Sequence, residues 1–310
     1  MDLPSIVKAI LLGLVEGMTE FAPVSSTGHL IMVDDMWLKS DEFLGKYVAN
    51  TFKVVIQLGS VLAGIVVFRE RFVEMLGELF RLGRRKAPSR PGAAGAIGAG
   101  EAGTANGGEG AVPGTAVSGR ETGRLRLSHV IVGLLPAGVL GVLLEDLIDE
   151  HLFSTATVVF GLVLGAVLMI LADWFRPQKP SVETVDQITH RQAFVIGLIQ
   201  CLSLWPGFSR SGSTISGGVL LGLSHRAASD FTFIMAVPIM AGASGLSLLK
   251  NLEYFKAEAI PFFIVGFISA FVFALLAIRF FLKLINRIKL VPFAIYRIAL
   301  AVLIYLVYLG

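Results

Sequence analysis

AILLGLVEGMTEFAPVSSTGHL, residues 9–30, reads as a membrane helix that breaks before it has crossed. Its apolar start suits a bilayer. It then carries Glu16 and Glu20, reaches Pro23, and turns through Ser25, Ser26, Thr27, Gly28 and His29 before becoming apolar again. Carboxylates, hydroxyls and an imidazole are costly in hydrocarbon unless buried in protein or facing a water-filled cavity. AFVIGLIQCLSLWPGFSRSGST, residues 193–214, has the same layout. One constant offset pairs Ala9 with Ala193, Gly13 with Gly197, Leu14 with Leu198, Glu16 with Gln200, Phe21 with Trp205, Ser25 with Ser209 and Gly28 with Gly212. The two stretches are expected to be halves of one intramembrane site.

The 310-residue chain around them is 55% hydrophobic and 16% charged, against about a quarter charged in soluble domains. Its apolar runs are continuous and close to the ~20 residues a helix needs to span a bilayer. They are not the short alternating strands of a barrel. The expected fold class is an all-α polytopic membrane protein, with residues 1–310 forming one integral membrane domain. A formal net charge of +3 is small and points to no nucleic-acid partner. Cys201 is the single cysteine, so no intrachain disulfide can form. The start, MDLPSIVK, lacks the basic region and cleavage site of a signal peptide, so the first apolar segment is expected to stay in the protein.

Six full spans are expected, at about residues 52–68, 128–148, 156–175, 231–249, 260–282 and 293–309. Gln57 lies inside the first, where an amide needs a partner on another helix or at the site. Residues 34–50 are polar and acid-rich, and 69–82 (RERFVEMLGELFRL) suit an amphipathic helix on the membrane surface. Residues 83–123 turn Gly/Ala-rich with three prolines, which predicts a disordered cytoplasmic loop.

Basic residues concentrate in alternate connections: Arg69, Arg71, Arg120, Arg124 and Arg126; then Arg176, Lys179 and Arg191; then Arg279, Lys283, Arg287 and Lys289. All fall on one, cytoplasmic, side if residues 9–33 and 193–223 are re-entrant hairpins entering from opposite faces. Each half, about 1–175 and 190–310, then holds one hairpin and three spans. That odd number makes the second half an inverted-topology repeat of the first, with its site near the midplane. VIQLGSVLAG at 55–64 and FIMAVPIMAG at 233–242 are a weaker echo of the same repeat.

Glu16 and Glu20 are four apart and share a helix face. They suit a divalent cation, or one can act as acid or base while the other stays charged; the plainer alternative is a pair bound to arginine for packing. A lone histidine in apolar sequence is usually structural. The hydroxyls beside His29 and the nearby carboxylates favour a nucleophile towards phosphorus or a proton carrier instead. In PGFSRSGST, residues 206–214, a flexible turn, hydroxyls and Arg210 precede a helix, which together suit a phosphate group; the alternative is an ordinary helix cap with a snorkelling arginine. Combined, the stretches suit metal-assisted hydrolysis of a phosphate ester or anhydride whose remainder lies in the bilayer. Transport or flipping of a lipid phosphate is the competing reading, because broken helices in inverted repeats are also a transporter architecture.

Three motifs sharpen this: E-x-x-x-E at Glu16 to Glu20, P-V-S-S-T-G-H at Pro23 to His29, and P-G-x-S-R-S-x-x-T at Pro206 to Thr214. With them the chain closely resembles the bacterial undecaprenyl-diphosphate phosphatase family, linked to bacitracin resistance, as far as FAIYR at 293–297. The resemblance implies removal of the terminal phosphate of a polyprenyl diphosphate lipid, which regenerates the monophosphate carrier for peptidoglycan. It also implies a multi-pass protein of the bacterial inner membrane, dependence on Mg²⁺ or Ca²⁺, and a site open to the periplasmic face. Carried over by position, Glu16 and Glu20 would bind the metal or handle protons, and Arg210 would clamp the diphosphate. Ser25, Thr27, Ser209, Ser211 and Thr214 would support its phosphates. Ser26 or His29 would be the nucleophile or its base, with His29 favoured. A homodimer is one arrangement left open. The loop at 83–123 is longer than the family usually has.

Overall fold

The computed structural model describes residues 3–84, 123–251 and 257–308, with side chains at all of these except 78–84 and 149. Most of the segment expected to be a disordered loop, residues 85–122, lies outside that set. Among the described residues the secondary structure is helical apart from one isolated bridge between Val182 and Leu223.

The first broken helix is α1 (Leu3–Thr19), which stops short of a turn and returns as α2 (Ser26–Leu30) and a π-helical stretch, Ile31–Leu38. After α3 (Ser40–Leu44) come α4 (Lys46–Val67), α5 (Arg69–Arg84), α6 (Leu127–Leu143), α7 (Glu145–His151) and α8 (Thr155–Phe175). The second broken helix is α9 (His190–Gln200), followed by a turn and α10 (Arg210–Leu220). α11 (His225–Lys250), α12 (Ile260–Ile288) and α13 (Val291–Tyr308) complete the fold.

Five of these helices, α4, α8, α11, α12 and α13, are long and apolar enough to cross a membrane. The expected sixth span, residues 128–148, is shorter: α6 has 17 residues, about 25 Å at the helical rise. The backbone leaves the helix at Leu144 (φ −110°, ψ 9°), and Glu145 and Asp146 open α7. Acids favour a helix N-terminus, and they cannot extend a span through hydrocarbon. The polar stretch 34–50 is also more ordered than its composition suggests. Buried Asp34 accepts from both the backbone and hydroxyl of Ser40 and pairs with Lys53 at 2.8 Å.

Contacts sort the connections into two ends. At one, Arg71 forks onto Asp186 (2.9 and 2.8 Å), Arg124 pairs with Glu74, Arg226 donates to the Leu282 carbonyl, and Asp173 accepts from Leu290 and Val291. These join the arginine-rich connections anticipated to share a side. At the other end Lys250 meets Glu145, and Lys8 reaches the Leu38 carbonyl. The first hairpin therefore enters from the end of Lys8, and the second from the end of Arg71.

The repeat is visible in packing. α1 lies along α12, and its counterpart α9 lies along α6. At each crossing glycine meets glycine: a side chain at Gly13 would strike the Gly266 carbonyl, and one at Gly197 the Gly133 carbonyl. α4 packs on α11, joining the two segments of the weaker echo. Close backbone approach of this kind is how helices associate where lipid removes the hydrophobic drive between them. Gly197→Ala should lower stability by about 1–3 kcal/mol through overpacking, measured as thermal unfolding in detergent. Gly138→Ala, in the same bundle but with open space around it, should leave stability unchanged or slightly higher.

Candidate active site

The two hairpin turns have the same local construction. Ser25 and Ser209, paired by the repeat, both cap a helix from a left-handed backbone (φ 71° and 74°). Each hydroxyl accepts from a glycine three residues on, Gly28 N–H at 3.4 Å and Gly212 N–H at 3.2 Å. Serine caps satisfy donors that a helix broken inside the membrane would otherwise leave exposed. The turns face each other, tied by the Ser211 hydroxyl donating to the Ala22 carbonyl at 2.9 Å.

Between them lies a cavity of about 260 Å³. Glu20, Ser25, Ser26 and Thr27 of the first hairpin line it, as do Ser209, Arg210 and Ser211 of the second. Ser26 Oγ donates to Glu20 Oε2 at 2.6 Å, and Arg210 Nη2 donates to Glu20 Oε1 at 3.1 Å. One carboxylate thus links the hydroxyl of one half to the guanidinium of the other. Arg210 is otherwise braced by the Thr232 carbonyl and the Met240 sulfur (3.5 and 3.4 Å). Glu16 sits one turn behind Glu20, buried, with its carboxyl in hydrogen-bonding contact with that of Glu20.

Three expected site residues do not line the cavity: Glu16, which lies behind Glu20, and two that stand elsewhere. His29 does not line the cavity. Its Nδ1–H donates to the Ser25 carbonyl at 2.7 Å, which leaves Nε2 to accept from the Tyr296 hydroxyl at 2.7 Å, and the two rings stack. One turn along α2 from Ser26, the imidazole points to α13, so of the two expected nucleophiles only Ser26 faces the cavity. Thr214 is fully buried: its hydroxyl donates to the Arg210 carbonyl at 2.8 Å and accepts from Thr232 at 2.9 Å. It braces α10 against α11 and offers nothing to a phosphate.

The carboxylates bear on a divalent cation. Among the described residues no group of three or more His, Cys, Asp or Glu side chains is placed to hold a metal ion. Two touching carboxyls beside a cavity fit a magnesium-like ion, which commonly takes one or two carboxylates and fills its remaining positions with water and substrate phosphate.

Arg297 is the residue that sequence reasoning passed over. It is fully buried, and Nη2 donates to the carbonyls of Phe208 (2.8 Å) and Gly207 (2.9 Å), the turn that presents Ser209 and Arg210. Gly165 and Gly212 leave the space it occupies. The sequence offered one signal, an arginine in the FAIYR segment at the start of an apolar span, which reads as a snorkelling side chain. Arg297→Met should leave both carbonyls unpaired and destabilise the protein by about 2–4 kcal/mol, seen as a lower unfolding temperature in detergent, with Arg297→Lys recovering part of the loss.

The family model described as bacitracin resistance protein BacA matches residues 9–303, which includes both hairpins and Arg297. A Geobacillus sp. protein named undecaprenyl-diphosphatase is 65% identical over 308 residues, covering 99% of this chain and 100% of that one. A Geobacillus thermodenitrificans protein of the same name is 64% identical over 99% and 100% of the two chains. A Staphylococcus epidermidis protein, again so named, is 54% identical over 100% and 98%. With the match running from the first broken helix into the last span, the chain belongs to the bacitracin resistance protein BacA family.

Proposed function

We propose that this protein hydrolyses undecaprenyl diphosphate to undecaprenyl phosphate and inorganic phosphate, recycling the lipid carrier for peptidoglycan synthesis and so conferring bacitracin resistance. The observation that carries the proposal is the chain from Ser26 through Glu20 to Arg210 in the wall of one cavity. A hydroxyl hydrogen-bonded to a carboxylate base is the arrangement of an activated nucleophile. A guanidinium and the N-terminus of α10 suit phosphate. Apolar Leu204, Ile239, Met240 and Ala243 line the same cavity and suit the start of a prenyl chain. The names of the relatives favour phosphate release over lipid transport.

In the proposed reaction Arg210 and the serines around it, Ser25, Ser209 and Ser211, with Thr27, hold the diphosphate with its terminal phosphorus beside Ser26. Glu20 takes the Ser26 proton as Oγ bonds to that phosphorus. The bond to the bridging oxygen breaks, and undecaprenyl phosphate leaves with the electron pair. Water then cleaves the phosphoserine: Glu20 guides the proton transfers, Ser26 regains its hydrogen, and inorganic phosphate departs. Glu16 and Glu20 would hold Mg²⁺ or Ca²⁺, which when bound would offset the negative charge of the diphosphate. His29 and Arg297 position the two turns.

The proposed setting is the bacterial inner membrane, with the site open to the periplasmic face. The arginine-rich connections gather at one end, which the positive-inside rule assigns to the cytoplasm. Ala137, Ile239, Met240 and Ala243 line the cavity from the parts of α6 and α11 nearer the opposite end.

Ser26→Ala, Glu20→Gln and Arg210→Ala should each reduce phosphate release from a prenyl diphosphate by at least about a hundredfold, with folding intact by thermal unfolding. His29→Asn should cost less than about tenfold. Retained turnover in Ser26→Ala would remove the proposed nucleophile. Chelating divalent cations should stop phosphate release, and Mg²⁺ or Ca²⁺ should restore it.

A further inference from the structure

Among the described residues, a buried polar atom of the cavity wall makes no hydrogen bond. Gln200, at the end of α9, is 2% exposed, yet its Nε2 makes no hydrogen bond. Buried amides are rarely left unpaired, because the donor has given up water without replacement. An oxygen that arrives only with a ligand accounts for such a donor. Around it, the Gln200 backbone carbonyl accepts from Ser203 at 2.6 Å, and Glu20, Ser26 and Ser211 each have partners.

A second amide faces the same space from α4. Gln57 lines the cavity, and its Oε1 accepts the Ser244 hydroxyl at 2.7 Å. That bond fixes which way the amide is turned and leaves its NH₂ as the available donor.

The internal repeat shows why an amide is useful here. Gln200 occupies the position equivalent to Glu16. A carboxylate there would add negative charge to a wall that Glu20 already lines and would repel an anionic ligand. Glutamine keeps the length of glutamate, removes the charge and replaces an acceptor with two donors.

We infer that Gln200, with Gln57, binds the substrate directly, donating hydrogen bonds to phosphate oxygens of the prenyl diphosphate without adding charge to the site. The inference rests on the activity proposed above. It assigns the second hairpin two kinds of donor, the charged Arg210 and the neutral Gln200.

The test is kcat and KM for phosphate release from farnesyl diphosphate by purified protein in detergent, together with calorimetric binding of farnesyl diphosphate to a Ser26→Ala background. Gln200→Met, close in volume, should raise KM about tenfold and change kcat less than about threefold. Gln200→Glu should raise KM further, by about a hundredfold. Gln57→Met should fall between wild type and Gln200→Met. In the Ser26→Ala background Gln200→Met should weaken binding by the factor seen in KM. Unchanged KM and unchanged binding in both Gln200→Met and Gln200→Glu would overturn the inference. If Gln200→Met does not fold, Gln200→Glu and Gln57→Met decide it by the same criteria. Wild-type protein that binds farnesyl diphosphate but releases no phosphate would overturn the proposed activity instead, and the binding comparison would still judge Gln200.

Discussion

A helix that stops inside a bilayer frees backbone N–H and carbonyl groups where no lipid can satisfy them, and every feature of this site follows from how those groups are paired. The donors at the start of α2 and α10 are met by Ser25 and Ser209, each turned into a left-handed conformation to reach the glycine N–H behind it. The carbonyls of the second turn are met by Arg297, which is fully buried for that purpose. In the first turn His29 takes the Ser25 carbonyl and is itself held by Tyr296. Two consecutive residues of α13 thus anchor the two hairpins. The last span is part of the site although none of its residues lines the cavity.

The repeat explains how one construction came to hold two chemistries. Equivalent serines cap equivalent helices, but other paired positions differ: Ser26 stands where the second half has Arg210, and Glu16 where it has Gln200. Ser26, Arg210 and Gln200 meet in the wall of one cavity, with Glu16 behind Glu20. Had both halves kept carboxylates, the site would repel phosphate. Had both kept arginines, an arginine would stand in place of Ser26, the proposed nucleophile. The Glu20 to Arg210 bond, at 3.1 Å between halves, joins the two functions.

Much of this was legible in the sequence because hydrocarbon makes polar residues conspicuous. The two hairpins, their opposite entry and the gathering of arginine-rich connections follow from polar groups that must be paired or hydrated; of Glu16, Glu20, His29 and Arg210, expected to share one cavity, Glu20 and Arg210 line it. Side-chain direction was not legible. His29 and Ser26 share a short helix, and only tertiary packing sends one to α13 and the other to the cavity. Thr214 lies one turn beyond Arg210 and faces α11 for the same kind of reason. Arg297 was hidden by its position near a span end, where arginines ordinarily reach for water. The break at Leu144 was masked by Leu147 and Ile148, apolar residues that follow Glu145 and Asp146.

On the proposed reading the resting contact between Glu20 and Arg210 also sets the order of events. Arg210 is only slightly exposed and already engaged, so a diphosphate entering the cavity competes with Glu20 for it. A phosphate with more charge and more acceptor oxygens than one carboxylate is suited to win that competition. Once Arg210 turns to substrate, Glu20 keeps its hydrogen bond to the Ser26 hydroxyl and stands ready to take that proton. Binding then brings the phosphate to a serine already held by its base. This exchange requires that the arginine and the base belong to different halves, because a pair fixed on one helix would have no reason to separate. The inverted repeat, by bringing two unlike hairpins together at the midplane, provides that separation.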